Sequence, residues 1–285
     1  MSTLDTTAQV ATEPSITIRP PRRWGDLRLR ELWDYRELLY FLTKREMQIR
    51  YKQSLFGIAW AVLQPLALAF LFALIFGSSN IDVDTGDLPY AIFALAALVP
   101  WLFNAQAVNQ AAIGLVADQA LLSKVYFPRL AIPLAKAGAL LLDLMISLVV
   151  LIVFTLIYGI GIDLTVLLVP AFLLLAVLTA FGVGTLLAAI NVKYRDVTVA
   201  TPVIVQIWFF ATPVIYPGGL VGGNAAYVYA LNPMVSVIDG VRWALLGAEA
   251  PEPLAVAISV ASAVAIALVA VVYFRRTEQF FADVI

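Results

Sequence analysis

Polar and apolar positions along this chain fall into long blocks. Charged side chains crowd into a few short segments, and between them the chain runs apolar for about twenty residues at a time. Six such runs occur, at about 57–77, 91–116, 137–158, 166–190, 198–216 and 254–274. At 1.5 Å of rise per residue each is long enough for a helix to cross a hydrocarbon core of ~30 Å, the fifth only just. The expected fold is therefore an all-α polytopic membrane protein with about six transmembrane helices. Pro65 beside Gln64 predicts a kink in the first run. The second holds Pro100, Trp101, Asn104, Gln106, Asn109 and Gln110. Polar side chains cost free energy in lipid, so these should face other helices or a water-filled path. Asp143, in the third, is the only acid within a run. Gly182 and Gly184 in the fourth permit close helix contact. The fifth follows a polar start with Lys193, Arg195 and Asp196 and carries two prolines, Gln206 and the cluster Trp208-Phe209-Phe210.

The segments between runs have patterns of their own. Residues 1–24 are rich in Ser, Thr and Pro and lack the apolar core of a signal peptide, so 1–30 are expected to form a disordered cytoplasmic tail. Residues 31–52 are too charged to span, yet Leu32, Tyr35, Leu38, Leu39 and Leu42 recur at helical spacing. That stripe predicts an amphipathic helix on the inner leaflet with Arg45, Arg50 and Lys52 near lipid phosphates. The alternative is a helix packed on a partner. Residues 217–253 are rich in Gly, Pro and aromatics, and a structureless loop of that length is uncommon. One or two short re-entrant or interfacial helices are expected there. The main domain is thus 31–285.

Composition agrees with this layout. The chain is 62% hydrophobic and only 13% charged, against roughly 25% charged in a soluble domain. Cysteine and histidine are both absent. That excludes disulfides, Cys/His metal sites, cysteine nucleophiles and a serine–histidine triad. No Gly-Lys pair occurs, so a Walker A phosphate loop is missing and any ATP must be bound by another chain. A net charge near zero argues neither way about nucleic acid; the charges are sorted by position, and no nucleic-acid partner is expected. Of 18 Lys and Arg, ten precede the first run, three lie between the second and third, two between the fourth and fifth, and two after the sixth. Only Arg242 falls on the other side, a strong positive-inside pattern with both termini cytoplasmic.

Four features are candidates for chemistry. The loop 118–136 has a helical start broken at Phe127-Pro128 and again at Pro133; it is either a rigid element that takes force from a partner or a plain cationic anchor. Asp143 sits seven residues after Lys136 on the same helical face, about 10 Å along the axis. It is read as an inner-edge ion pair or a bond to a neighbouring Gln or Tyr, with proton coupling as the sharper alternative. Arg195-Asp196 is read as a local ion pair orienting the fifth helix. Arg242 either meets an anionic diphosphate or headgroup, or caps a re-entrant helix or pairs with Asp239.

Phe127-Pro128-Arg129 followed by a second proline, the Asn-Val-Lys-Tyr-Arg-Asp-Val at 191–197, the Thr-Pro-Val-Ile-Tyr-Pro at 212–217, the Leu-Asn-Pro-Met at 231–234 with a downstream Arg, and the ending from Phe274 occur in this order. As an ordered set, covering about 33–285, they resemble ABC-2 type permeases that export polysaccharide or teichoic acid. The resemblance implies a homodimer beside two copies of a separate ATPase subunit, which would hold ATP and Mg, with no cofactor and no catalytic or metal residues on this chain. It implies a bacterial cytoplasmic (inner) membrane location and a lipid-linked glycan as substrate. Lys124, Tyr126, Phe127, Pro128 and Arg129, with Tyr194, Arg195 and Asp196, would face the ATPase. Trp60, Trp101, Asn104, Gln206, Trp208, Phe209, Phe210 and Tyr216 would line a path on which sugar rings slide; packing on lipid or neighbouring helices is the alternative. Asn232, Pro233, Arg242 and Trp243 would form the outer gate. Rival readings are an ABC-2 exporter of drugs or lipids, and an intramembrane glycosyl or phospho-lipid transferase.

Overall fold

The computed structural model describes residues 33–52, 56–77, 85–86, 88–122, 127–161 and 163–278. Leu32, Lys124 and Tyr126 lie outside the described residues, as do the expected tail at 1–30 and the last seven positions. Every regular element among the described residues is helical. In chain order they are α1 (Arg36–Tyr51), α2 (Ala59–Phe76), α3 (Tyr90–Ala117), the short α4 (Gln119–Leu122), α5 (Ala131–Ala139) and α6 (Leu141–Ile157). A 3-10 turn at Leu164–Leu168 then leads into α7 (Val169–Lys193), followed by α8 (Val197–Phe210), α9 (Asn224–Tyr229), α10 (Pro233–Leu246) and α11 (Pro253–Thr277). Among the described residues five segments are long and apolar enough to span, and α8 is a sixth, shorter apolar helix.

The bundle is organised on α3 and α7. With 28 residues α3 is about 42 Å long, and 83% of its apolar stretch is buried inside the protein. It packs against α2, α5, α6, α7, α8 and α10, and α7 in turn carries α10 and α11. Small residues set these approaches. A Cβ at Gly184 would stand 2.7 Å from that of Ala111 on α3, and one at Gly182 would meet the backbone of Ala267 on α11 at 3.0 Å. By contrast only 11% of the apolar stretch of α2 is buried, and α8 exposes Val199, Val203, Ile204, Ile207 and Phe210 along one side.

Two spans differ from their expected limits. The third begins at Ala131 rather than near 137, because Pro133 does not break it. Pro133 occupies the first turn of α5, where a missing N–H has no helical partner to lose. The interruption falls instead at Leu140, between α5 and α6. The fifth helix stops at Phe210, giving about 21 Å over 14 residues. The Pro213 ring denies it another turn, and 211–216 continue as irregular backbone. The loop 217–253 does contain two helices, α9 and α10. Asn232 caps α10, accepting from the Met234 N–H at 3.2 Å, and Gly247, at φ 67°, ends it in the left-handed region.

Candidate functional site

At the end of the bundle where α1 lies, the Leu38/Leu39/Leu42 stripe turns inward. Leu42 joins a cluster with Leu115, Phe127, Leu130, Ile132, Ala188, Val192 and Phe274, and Tyr35, Leu38 and Leu39 pack against it. The stripe therefore packs on the chain's own bundle, while Trp33, Tyr40, Phe41 and Ile49 are exposed apolar groups of the same region. Two of the three expected phosphate-facing cations also turn in. Arg45 bonds Asp118 and stands 3.2 Å from Glu46. Lys136 stands 2.9 Å from Glu46 and 3.0 Å from Asp118. Arg50 pairs with Asp143 at 2.9 Å, so the partner of Asp143 is Arg50 and not Lys136. Glu46 and Arg50 are one turn apart on α1, so Lys136 and Asp143 both meet α1 but pair with different side chains. Lys52 remains exposed.

Phe127 and Pro128 are buried at this end. The Arg129 guanidinium donates to the Glu278 carbonyl at 2.7 Å, and Glu278 also pairs with Arg275 at 2.9 Å. The Phe-Pro-Arg element is thereby tied to the end of α11. Tyr194, Arg195 and Asp196 are exposed in the turn before α8. Among the described residues no salt bridge joins Arg195 to Asp196, and Asp196 makes no side-chain cap. The orienting residue is Asn191, which is fully buried. It donates to the Ala112 carbonyl at 2.9 Å and accepts from Thr198 at 3.0 Å, tying α7 to α3 and to the first turn of α8.

The residues expected along a path divide into two groups. Trp101 packs edge-on against Trp208 at 5.7 Å and Phe209 at 5.6 Å, and Phe72 stacks on Phe209 at 6.1 Å. Trp101 and Asn104 are buried by the chain's own helices. Asn104 makes no hydrogen bond with either amide atom. Trp60, Gln206 and Phe210 are exposed.

At the opposite end Arg242 is the most heavily bonded side chain. It is 2% exposed and donates to the carbonyls of Pro213 at 2.7 Å, Val214 at 2.8 Å, Tyr216 at 3.2 Å and Phe93 at 3.2 Å. Its guanidinium lies 3.5 Å from the Phe93 ring centroid, and Asp239 is 3.9 Å away. Burial lowers Arg242 to about 10, still charged at neutral pH, while Asp239, the strongest of its charged neighbours, holds it up. Burial pushes Asp239 up to about 6, against the pull of Arg242. Asn232 accepts from the Trp208 indole at 2.9 Å and donates to Thr212 at 2.9 Å and the Ala211 carbonyl at 3.2 Å. Tyr216 donates to the Phe210 carbonyl at 2.9 Å and meets Tyr229 at 3.0 Å. Carbonyls freed where α8 stops are thus gathered by α10 and its cap. Of the openings read from sequence for Arg242, the capping role comes nearest, but the carbonyls it gathers belong to the segment after α8 and to Phe93 of α3. Pro233 is buried at the first position of α10, and Trp243 is partly buried against the main core.

The build is that of a polytopic helical membrane protein: a buried helix pair, two exposed apolar helices, and α10 holding the segment that follows the short α8. Residues 37–246 match the profile of the ABC-2 type transporter family, and the chain belongs to that family. It is 32% identical over 213 residues to the "O-antigen export system permease protein RfbA" of Myxococcus xanthus, covering 74% of this chain and 80% of that one. A protein of the same name from Klebsiella pneumoniae is 27% identical over 204 residues, covering 71% and 77%.

Proposed function

We propose that this chain is the membrane half of an ATP-driven exporter that carries a lipid-linked polysaccharide outward across a bacterial cytoplasmic membrane. The observation that carries the reading is its likeness, across about three quarters of its length, to permeases named for O-antigen export. Two copies assemble with two copies of a separate ATPase subunit, which binds ATP and Mg; this chain binds no cofactor and makes no covalent bond. The seventeen-to-one distribution of Lys and Arg supports cytoplasmic termini. Movement driven by the ATPase enters at 124–129 and 194–196. Phe127 passes it to the cluster that joins the ends of α1, α3, α7 and α11. The exposed sides of α2 and α8, with Trp60, Gln206 and Phe210, face the second copy and the moving chain, where sugar C–H faces slide on aromatic rings without fixed bonds.

Deleting the gene in its native host tests this. The expected result is polymer retained on its lipid carrier inside the cell, and co-purification of the tagged permease with an ATPase subunit at equal stoichiometry. Undiminished polymer at the cell surface would overturn the reading.

A further inference from the structure

Where α1 meets α2, α3 and α6, a small cleft of about 30 Å³ is lined by Arg50, Trp60, Gln64, Gln106, Asp143 and Ser147. That is room for about two waters or a pair of hydroxyls. Its polar groups form a directed chain. Arg50 donates to Asp143 Oδ2 at 2.9 Å and to Gln106 Oε1. Gln106 Nε2 donates to Gln64 Oε1 at 3.1 Å. Because the Gln64 oxygen is used, its amide donors are left at the exposed lip, beside Trp60, which is 53% exposed. Ser147 spends its proton on the Ala61 carbonyl at 2.7 Å and keeps its lone pairs. At the floor, Asp143 is only 9% exposed, and its Oδ1 accepts nothing. A buried carboxylate oxygen without a donor is costly, so something with an O–H or N–H is expected to fill the cleft.

We propose that this cleft binds the hydroxyl edge of an uncharged sugar ring, with the ring's C–H face on Trp60. It rests on the export reading and names where that substrate first touches the permease. The charges select the ligand class. Arg50 is neutralised by Asp143, so the cleft carries one cation and one anion, and a phosphate would meet a carboxylate it cannot bond. A neutral diol instead donates one hydroxyl to Asp143 Oδ1 and accepts on the other from the Gln64 amide, an arrangement of few polar groups around an apolar wall that suits a small ligand.

The test uses the purified permease in nanodiscs, with maltohexaose as the probe in saturation-transfer NMR and inorganic phosphate as competitor. Transfer to the hexose ring protons is expected to fall at least about fivefold in Trp60→Ala and Gln64→Ala, and phosphate is expected to have no effect. The charge swap Arg50→Asp with Asp143→Arg keeps an ion pair but moves the carboxylate from the floor of the cleft on α6 to α1. It is expected to melt like the parent and to lose the transfer. Transfer retained by the swap, displacement by phosphate, or no transfer to the parent protein (water alone in the cleft) would each overturn the proposal. The gene deletion reads the export function separately: a surface free of polymer together with no sugar transfer removes this cleft and leaves the exporter standing.

Discussion

The two ends of the bundle bury charge in opposite ways. Where α1 lies, six charged side chains, Arg45, Glu46, Arg50, Asp118, Lys136 and Asp143, cancel one another across α1, the end of α3 and α5–α6. At the other end a single cation, Arg242, stands among backbone carbonyls, with Asp239 its nearest acid at 3.9 Å. The first arrangement joins separate elements through side chains at their margins. The second holds the irregular segment that follows α8, and ties it to Phe93 of α3. Paired side chains can exchange partners at modest cost, whereas bare carbonyls in a dry interior have nowhere else to turn. The network end is built to shift and the capped end to hold.

That contrast can be broken most forcefully at Arg242. Arg242→Met takes the guanidinium donor from the carbonyls of Pro213, Val214 and Tyr216, which lie outside any helix, and is expected to cost roughly 3–5 kcal/mol, seen as a large drop in detergent melting temperature and loss of export. Lys136→Met is milder, because Arg45 still faces Glu46 and Asp118; about 2 kcal/mol is expected, with recovery in the double variant Lys136→Met/Glu46→Met. Equal losses at the two sites would erase the distinction. Arg129→Glu has the smallest effect on stability, within about 1 kcal/mol at a partly exposed contact. It sets two carboxylates against each other at Glu278 and is expected to uncouple the partner's ATP hydrolysis from export while expression holds. Glu278→Arg should restore coupling, and unchanged export would remove Arg129 from the coupling path.

Spans and loops were readable because lipid imposes a simple rule: residues crossing it lack charge, and five of the six runs match full-length segments. Spacing within one helix says nothing of partners on another: Lys136 and Asp143 both meet α1, but at Glu46 and Arg50 respectively. The fifth span was read too long because an uncharged run says nothing of where Pro213 stops the helix. The inward turn of Arg45 and Arg50 depends on Asp118 and Asp143, acids far along the chain that no periodicity in 31–52 reveals. Asn191 was in plain view inside a noted motif, but its two bonds join three helices, which only their assembly brings together.

The depth at which α3 is buried bears on how the protein is made. This helix leaves the ribosome with Asn104, Gln106 and Asn109 on it, and its main companion α7 is not complete until Lys193 has been added. At ~5–20 residues per second that is a wait of several seconds, which begins with α2 as the one long neighbour among the described residues already synthesised. The helix at the centre of the finished molecule is thus the one most dependent on the insertion machinery to shelter it until its later-made neighbour arrives.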